Sequence, residues 1–365
     1  MVGKKLLALL ITLLSAIGIY ANEITVGYNE NVELMSIMSR LAGLKEYCYE
    51  EAGNYDRDID SVFASFKRHP AVVFLQEIHK KYHCSYDAIM SMALRLNRDN
   101  SAYHIVEEDS DGLDSRWKEV DKSEFTRLVT KFYNDTRFEI FFSNHKAFYD
   151  KCIEDYKAIV MKDLNIGWYG QFYGLPPSRD FRVIIAFVNG KNNYGVKRKL
   201  RGHREEVFNV QGYFVDKAGK LGYNKNHQAL LIHEFNHSFI NYLLVDMNKL
   251  KMQEAGQYLF KTVAWSMRGQ NYGEWITMIN ESLVRAAVIR YLIYNDANKK
   301  EVEDYLSYEI SHGFRWMPEL VGLLGMYEKK RAVYPTFESF YPKIIDFFIT
   351  YKKKESRRIG RIEVG

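Results

Sequence analysis

The apolar residues in the first half of the chain recur mostly at the spacing of an α-helix. Apolar side chains three or four positions apart are Leu34, Ile37, Met38 and Leu41. Such spacing places side chains on one helix face. It continues to about residue 134, and residues 126–156 add two Phe-rich helices. A short β-prone run at residues 23–28 comes first, so we predict a mainly helical region preceded by one strand.

The second half begins with a change from helical spacing to continuous apolar runs. Residues 181–188 are rich in Val, Ile and Phe, which is typical of a buried strand. Asn189 and Gly190 follow as a turn signal, and residues 207–215 predict a second strand. Helical spacing then returns in four segments, at residues 278–295, 301–312, 318–327 and 340–351. The pattern predicts a small sheet enclosed by helices.

An H-E-x-x-H motif lies between the strands and the last helices. His233 and His237 are four positions apart in residues 229–240, a stretch without Pro or Gly. On a helix these positions share one face, one turn apart. Two imidazoles placed in this way can bind one Zn²⁺, and Glu234 is then close enough to take a proton from the attacking water. The motif predicts a zinc-dependent hydrolase.

A second interpretation of the motif needs no metal. Leu231, Phe235 and Phe239 indicate a core helix, in which the two histidines could satisfy hydrogen bonds of the core. Burying two imidazoles and a carboxylate together is costly without a compensating partner. We therefore favour the metal site.

The third metal ligand has to come from elsewhere, because catalytic zinc takes three protein ligands and leaves one position open. The downstream candidates are four acids, Glu254, Glu274, Glu281 and Glu301. Glu281 is a lone acid in the apolar helical segment 278–289 and needs a partner there. Glu254 lies in a solvated segment, Glu274 suits a helix N-terminus, and Glu301 lies in a charge run. We predict Glu281, with Glu254 as its rival.

This arrangement resembles the gluzincin branch of zinc metallopeptidases. There the motif is followed by a glutamate on a second helix, as Asn280-Glu281 follows here. The resemblance implies His233, His237 and Glu281 as zinc ligands and Glu234 as the general base. The spacing departs from the best-known members, because 44 positions separate His237 from Glu281. A segment at about residues 246–272 would therefore have to loop out between the two helices.

Further stretches resemble a family of secreted bacterial proteins catalogued as domain of unknown function 4932. They are residues 31–43, residues 66–72 and residues 281–286, together with the motif helix. The resemblance implies a gluzincin-like hydrolase without an assigned substrate. It adds a family and a fold to the interpretation, not a reaction.

Together these observations predict an α+β fold, with a zincin-like core of a small sheet and the H-E-x-x-H helix embedded in a mainly helical chain. We expect a signal peptide at 1–21, a mainly helical region at 22–157, the catalytic core at 158–300 and a helical C-terminal region with a basic tail at 301–365. In the zincin plan an edge strand runs above the metal and an extended peptide can pair with it. Residues 193–195 either lie on or beside that edge or form an ordinary hairpin turn.

The N-terminus has the features of a secretory signal peptide. Lys4 and Lys5 precede an apolar run at residues 6–20, and Ala21 is a small residue before the expected cut. We therefore expect a secreted or periplasmic protein without a membrane span after cleavage. The apolar run is short for a membrane span, and an uncleaved anchor is the alternative.

Composition narrows the function classes further. The net charge of +5 is mild and evenly spread, and no Gly-rich phosphate loop occurs, so we expect no nucleic-acid partner. Cys48, Cys84 and Cys152 are either buried or incidental thiols, and a Cys48–Cys84 disulfide is possible in an oxidising compartment.

The predicted reaction is hydrolysis of a peptide or protein substrate. Zn²⁺ would polarise the scissile carbonyl, and Glu234 would pass the water's proton to the leaving nitrogen. The developing oxyanion needs a further donor, for which the candidates are Tyr194, Tyr308 and His312. With 27 tyrosines in the chain, a structural role is the more common one for each of these residues. Arg285, one turn after Glu281, either orients that carboxylate or forms an ordinary salt bridge at the surface or in the core.

Two other function classes stay open. One is a non-catalytic zinc-containing binding protein, although a purely structural zinc site would not need Glu234. The other is a protein that stacks its aromatic residues, 15% of the chain, on glycan or cell-wall ligands. Binding to a glycan array without zinc would favour that class.

Overall fold

The computed structural model describes residues 24–50, 52–99, 102–108, 112–174, 179–216, 221–224 and 226–362. The signal peptide predicted at residues 1–21 lies outside this part. Across the described ranges, no helix combines the length and the apolar character that crossing a membrane requires. The protein is a mixed α+β structure that is mostly helical, which confirms the predicted fold class at that level.

The first half of the chain is a helical region, as the apolar spacing predicts. Its helices are α1 (Glu30–Leu41), α2 (Asn54–Phe63), α3 (Pro70–Tyr82), α4 (Asp87–Ala93), α5 (Lys122–Asp135), α6 (Phe138–Asn144), α7 (Lys146–Tyr156) and α8 (Gly167–Tyr173). The expected initial strand is present as β1 (Thr25–Gly27). An antiparallel hairpin of β2 (Leu96–Asp99) and β3 (Ala102–Ile105) was not predicted. Its two strands have four residues each, too few for their alternation to stand out from the helical spacing around them.

The main sheet has four strands in the order β1-β4-β6-β5. The further strands are β4 (Arg179–Ala186), β5 (Asn193–Arg198) and β6 (Glu205–Gly212). β1, β4 and β6 are parallel, and β5 runs antiparallel to β6 at one edge. The strands predicted at 181–188 and 207–215 are therefore present, but each begins two residues earlier. Residues 193–195 begin the edge strand, so the hairpin-turn interpretation of that segment was wrong.

Six long helices follow the sheet. They are α9 (Asn226–Ile240), α10 (Asp246–Gly269), α11 (Trp275–Tyr294), α12 (Lys299–Ser311), α13 (Met317–Lys329) and α14 (Phe337–Ile362). The segment 246–272 was expected to loop out, but most of it is helix α10. The buried residues of that helix are Met252, Ala255, Gly256, Leu259, Val263 and Met267, which mark one face. α10 packs on α11 and α14, so the long spacing between the predicted ligands is taken up by an ordinary core helix.

The motif helix α9 is packed between the sheet and α11. Toward the sheet, the ring of Phe235 lies 4.5 Å from the ring of Phe181 on β4. Toward α11, the amide of Asn236 donates to the carbonyl of Val284 at 3.4 Å. Phe235 and Asn236 are both fully buried. Apolar packing on one side and a polar contact on the other therefore define how α9 is rotated about its axis.

A buried acid ties helix α1 to the sheet. Glu33 has no exposed surface and accepts hydrogen bonds from the Phe187 backbone N–H at 2.8 Å and from the Tyr55 hydroxyl at 3.0 Å. The Tyr55 hydroxyl also contacts the Tyr149 hydroxyl at 2.7 Å. Burial raises the pKa of Glu33 to about 8, although the two hydrogen bonds act in the opposite direction. Glu33 is therefore protonated in the folded protein at neutral pH.

We predict that Glu33 makes the protein less stable as pH rises from about 4.5 to about 8. In this window the unfolded chain has lost the proton and the folded chain keeps it, so each pKa unit of difference costs about 1.4 kcal/mol. Glu33→Gln is neutral at every pH and should remove this slope, with a gain of a few kcal/mol at pH 8. Urea unfolding at several pH values measures both effects.

The exposed Glu77 on α3 provides the matched control for that experiment. Glu77→Gln should leave the slope of stability against pH as it is in the parent. An unchanged slope in Glu33→Gln would show that Glu33 does not carry its proton in the folded state.

Candidate metal centre

Helices α9 and α11 bring three metal-ligand side chains together. The Nε2 atoms of His233 and His237 are 3.3 Å apart. The carboxylate of Glu281 lies 3.5 Å from His233 through Oε2 and 3.4 Å from His237 through Oε1. A different oxygen of Glu281 faces each imidazole, and one ligand atom from each of the three residues lies within 4.8 Å of the other two. The structure thus unites the three residues that the sequence predicts as metal ligands.

The spacing of these atoms is compatible with a single zinc ion. Ligand atoms about 2.0–2.1 Å from a tetrahedral zinc lie about 3.3–3.4 Å from one another. The three observed separations run from 3.3 to 3.5 Å. Two imidazoles and one carboxylate are also a donor set that catalytic zinc sites use. The residues present fit zinc in number, chemistry and spacing.

The surroundings of the two histidines favour the forms that bind metals, through the pKa of His233 and through a contact of His237. Burial lowers the pKa of His233 well below its ordinary value, and the charges of His237 and Arg285 act in the same direction. Nδ1 of His237 lies 3.2 Å from Oδ1 of Asn241, one turn further along the chain. Because an amide oxygen only accepts, that contact places the His237 proton on Nδ1 and leaves Nε2 free for a ligand bond.

Glu234 lies between the ligand pair and the edge strand β5. A Cβ atom added to Gly195 on β5 would be 3.3 Å from Oε2 of Glu234, so this carboxylate sits directly against the strand. Burial raises the pKa of Glu234 to about 7, and nearby Glu281 contributes in the same direction. Gly195 therefore leaves space for the carboxylate that a larger side chain would take.

A network of three further side chains holds Glu281. Oε2 of Glu281 accepts from the Tyr272 hydroxyl at 3.1 Å and from Nε of Arg285 at 3.3 Å. Nη2 of Arg285 donates to the Tyr272 hydroxyl at 3.0 Å. Nη1 of Arg285 contacts both carboxylate oxygens of Glu309, at 2.8 and 3.1 Å. The structure thus confirms the predicted contact between Arg285 and Glu281, and it adds Tyr272 and Glu309.

Neither addition was accessible to sequence reasoning. Tyr272 follows the end of α10 and is one of 27 tyrosines, so nothing in its local pattern separates it from the others. Glu309 comes from α12, where its neighbours suggest an amphipathic surface helix. Its burial is the only distinguishing property, and burial depends on how α12 packs against α11.

A cavity of about 390 Å³ opens beside the cluster. Its polar wall includes His233, Glu234, Tyr272, Arg285 and Glu309, and its apolar and aromatic wall includes Ala229, Leu230, Val288, Tyr305 and Tyr308. Tyr308, one of the predicted donors, is therefore at the cavity. The cavity has the size of a single large side chain or a small molecule, and it reaches both the ligand His233 and the candidate base Glu234.

The structure does not bring the other two predicted donors to Glu234. Successive strand residues face opposite sides, and Gly195 faces Glu234, so Tyr194 points to the other face of β5. There it is buried, and Glu46 is among its charged neighbours. His312 ends α12, where its Nδ1 contacts the Tyr308 carbonyl at 2.8 Å and its ring lies 3.9 Å from the Tyr308 ring. It adjoins the aromatic wall of the cavity and not the carboxylate.

The rival third ligands lie elsewhere. Glu254 forms an ion pair with Lys352 and its side chain is 87% exposed. Glu274 is the residue before the first turn of α11, and Glu301 is in the first turn of α12. All three cysteines are free, so the considered Cys48–Cys84 disulfide is not formed.

Fold and site together define an α+β protein with a His-His-Glu cluster on two adjacent core helices. The chain belongs to the family described as domain of unknown function (DUF4932), whose model matches residues 24–347. This confirms the resemblance to domain of unknown function 4932. No curated protein and no solved structure matches the chain.

We predict that Arg285 is required for the stability of the cluster. Its side chain and that of Glu309 are mostly buried, and removing one partner of such a pair costs about 3–5 kcal/mol. Arg285→Met should therefore lower the free energy of unfolding strongly, and Arg285→Met combined with Glu309→Leu should recover part of the loss. Urea unfolding measures all three proteins.

Arg127→Met is the matched control, because Arg127 forms an exposed ion pair with Glu124. Exposed pairs contribute little to stability, so this variant should unfold almost as the parent does. Equal losses in Arg127→Met and Arg285→Met would contradict the role given to Arg285.

Proposed function

We propose that this protein is a secreted zinc-dependent metallohydrolase, most simply a peptidase of gluzincin type. The observation that carries the proposal is the convergence of the ligand atoms of His233, His237 and Glu281 at 3.3 to 3.5 Å. A purely structural site would be closed by a fourth protein ligand. Here Glu234 and a cavity adjoin the cluster instead, which favours catalysis over a structural role.

The edge strand supports an extended peptide as the substrate. β5 lies at the edge of the main sheet and runs antiparallel to its neighbour, and Gly195 places its backbone next to Glu234. A peptide can add to such an edge through main-chain hydrogen bonds. On β5 the Lys197 carbonyl already accepts from Nη2 of Arg95 at 2.7 Å. The peptide would therefore pair nearer to Gly195, where its scissile bond meets the cluster.

In this proposal each side chain of the site has a defined role in hydrolysis. When bound, zinc supplies Lewis acidity toward the scissile carbonyl and toward the attacking water. Glu234 takes the proton of that water and delivers it to the leaving nitrogen. Tyr272 donates its hydroxyl proton to Glu281 at 3.1 Å, and it would act as the donor for the developing oxyanion by turning that proton from the carboxylate to the substrate oxygen. Arg285 orients both Tyr272 and Glu281.

The cavity indicates which side chain of the substrate is bound. Leu230, Val288, Tyr305 and Tyr308 form its apolar and aromatic wall. Pockets of this composition bind apolar groups, and a few polar groups fix the orientation. Of the charged residues at the cavity, Arg285 and Glu309 form an ion pair, and Glu234 is the proposed base. We therefore propose a bulky apolar residue beside the scissile bond.

We predict about one zinc ion per chain in the purified protein. His233→Ala, His237→Ala and Glu281→Ala should each lose most of it, because two remaining ligands bind zinc weakly. The measurement is metal content by mass spectrometry after dialysis against buffer with limiting zinc.

His227→Ala and Glu254→Gln are the controls for this measurement. His227 lies on the same helix outside the cluster, and Glu254 is on the surface. Both variants should keep their zinc. Zinc that is lost from Glu254→Gln but kept by Glu281→Ala would refute the ligand assignment, and no zinc in a reconstituted parent would refute the metal site itself.

We predict that Glu234→Gln keeps zinc and loses hydrolysis by about 10²–10⁴-fold in kcat, because the amide cannot accept the water's proton. Tyr272→Phe should keep zinc and lower kcat by about 10²–10³-fold. New peptide termini from a peptide library, detected by mass spectrometry, measure turnover.

Tyr242→Phe serves as the control, because Tyr242 is exposed and its hydroxyl contacts Glu338. Full turnover by Glu234→Gln would contradict the proposed mechanism. A parent that holds zinc but cleaves nothing would instead favour the non-catalytic zinc-binding protein.

A further inference from the structure

A buried amide without a partner lies beneath the candidate base. Asn209 on β6 has no exposed surface. Within the described part of the protein, neither its Nδ2 nor its Oδ1 has a hydrogen-bond partner. Leaving such a group unpaired costs about 1–3 kcal/mol. An apolar side chain of similar size would avoid this cost, so the position of the amide calls for a reason.

The strand register shows which face of the sheet Asn209 occupies. Asn209 is paired with Val183 on β4 and with Gly195 on β5, and paired residues share a face. Phe181 lies two residues before Val183 and therefore on the same face. Its ring contacts Phe235 of α9 at 4.5 Å. Asn209 is consequently on the face that packs against the motif helix.

The same register places Asn209 next to Glu234. A Cβ atom at Gly195 would be 3.3 Å from Oε2 of Glu234. Directly paired residues have Cβ atoms about 4.5–5.5 Å apart, so the Asn209 side chain begins within reach of the same carboxylate. An ionised carboxylate only accepts hydrogen bonds, whereas an amide nitrogen offers two N–H donors. Donor and acceptor are complementary.

We propose that Nδ2 of Asn209 donates to the Glu234 carboxylate through one ordered water and thereby holds this side chain in its working rotamer. Asn209 is then a positioning residue. The hydrogen bond itself needs neither zinc nor turnover, but its value for catalysis rests on the proposed function of Glu234. A carboxylate with a fixed rotamer keeps its lone pair directed at the attacking water, which raises kcat without a change in substrate binding.

A double-mutant cycle on the metal-free protein tests the contact. The proteins are the parent, Asn209→Leu, Glu234→Ala and the combination, and the readout is the melting temperature. If the two side chains interact, the combined variant loses less than the sum of the single variants, by about 2 °C or more. Asn209→Thr, which is smaller, replaces the leucine in the cycle if that variant does not fold.

Gln211 is the matched control for the cycle. It is buried on β6, two residues further along the same face, and is paired with Asn193 instead of Gly195. Two strand residues span about 7 Å, so the Gln211 side chain begins about that much further along the strand from Gly195 than the Asn209 side chain does. Gln211→Met combined with Glu234→Ala should therefore show additive losses.

Kinetics of the zinc-loaded proteins test the consequence. Asn209→Leu should keep its zinc and a KM within about twofold of the parent, while kcat falls about tenfold or more. Gln211→Met should keep kcat. Strict additivity in the Asn209 cycle overturns the proposal, and so does an unchanged kcat. If the parent has no hydrolytic activity, the proposed function fails, but the cycle still decides whether Asn209 contacts Glu234.

Discussion

The site depends on the packing of two neighbouring helices, α9 and α11. Each helix contributes polar side chains to an interface that is otherwise apolar. The histidines of α9 and the glutamate of α11 meet only if the two helices are correctly aligned along and about their axes. The Asn236 amide bonded to the Val284 carbonyl joins the two helices one residue away from His237. The Tyr173 hydroxyl donates to the other end of the same amide at 3.0 Å. A rotation of α9 by one residue would break this contact and move His233 and His237 out of line with Glu281.

The alignment of the two helices also determines which charged side chains lie close together around the cluster. Glu234, Glu281 and Glu309 are three carboxylates, and Arg285 is the cation that contacts two of them. When all three are ionised, the group carries two negative charges in excess. Such an excess is unfavourable at low dielectric, and the proposed divalent ion would balance it. The same argument explains why Arg285 is shared between two acids instead of being paired with one.

The parts of the site that could be predicted from the sequence are those set by local spacing. His237 follows His233 by four positions, and Arg285 follows Glu281 by four. Each of these spacings corresponds to about one helical turn. Glu281 stood out because a lone acid in an apolar helix needs a partner. Tyr272 and Glu309 reach the site from other parts of the chain, as Asn209 is proposed to do, and their local patterns resemble those of ordinary surface or core residues. Their positions follow from tertiary packing, which no single segment encodes.

The helical first half also contributes to the geometry of the site. β1 pairs with β4 inside the main sheet, so a strand from that half is part of the sheet against which the motif helix packs. Arg95 is completely buried and binds Glu108 at 2.7 Å, the Ser91 carbonyl at 2.9 Å and the Lys197 carbonyl on β5 at 2.7 Å. One guanidinium thus links the helical region to the edge strand that passes Glu234. An edge strand has main-chain hydrogen bonds to a neighbouring strand on one side only. The distance of β5 from α9 therefore depends on links such as the one through Arg95. In this way the helical half helps to determine the geometry around Glu234.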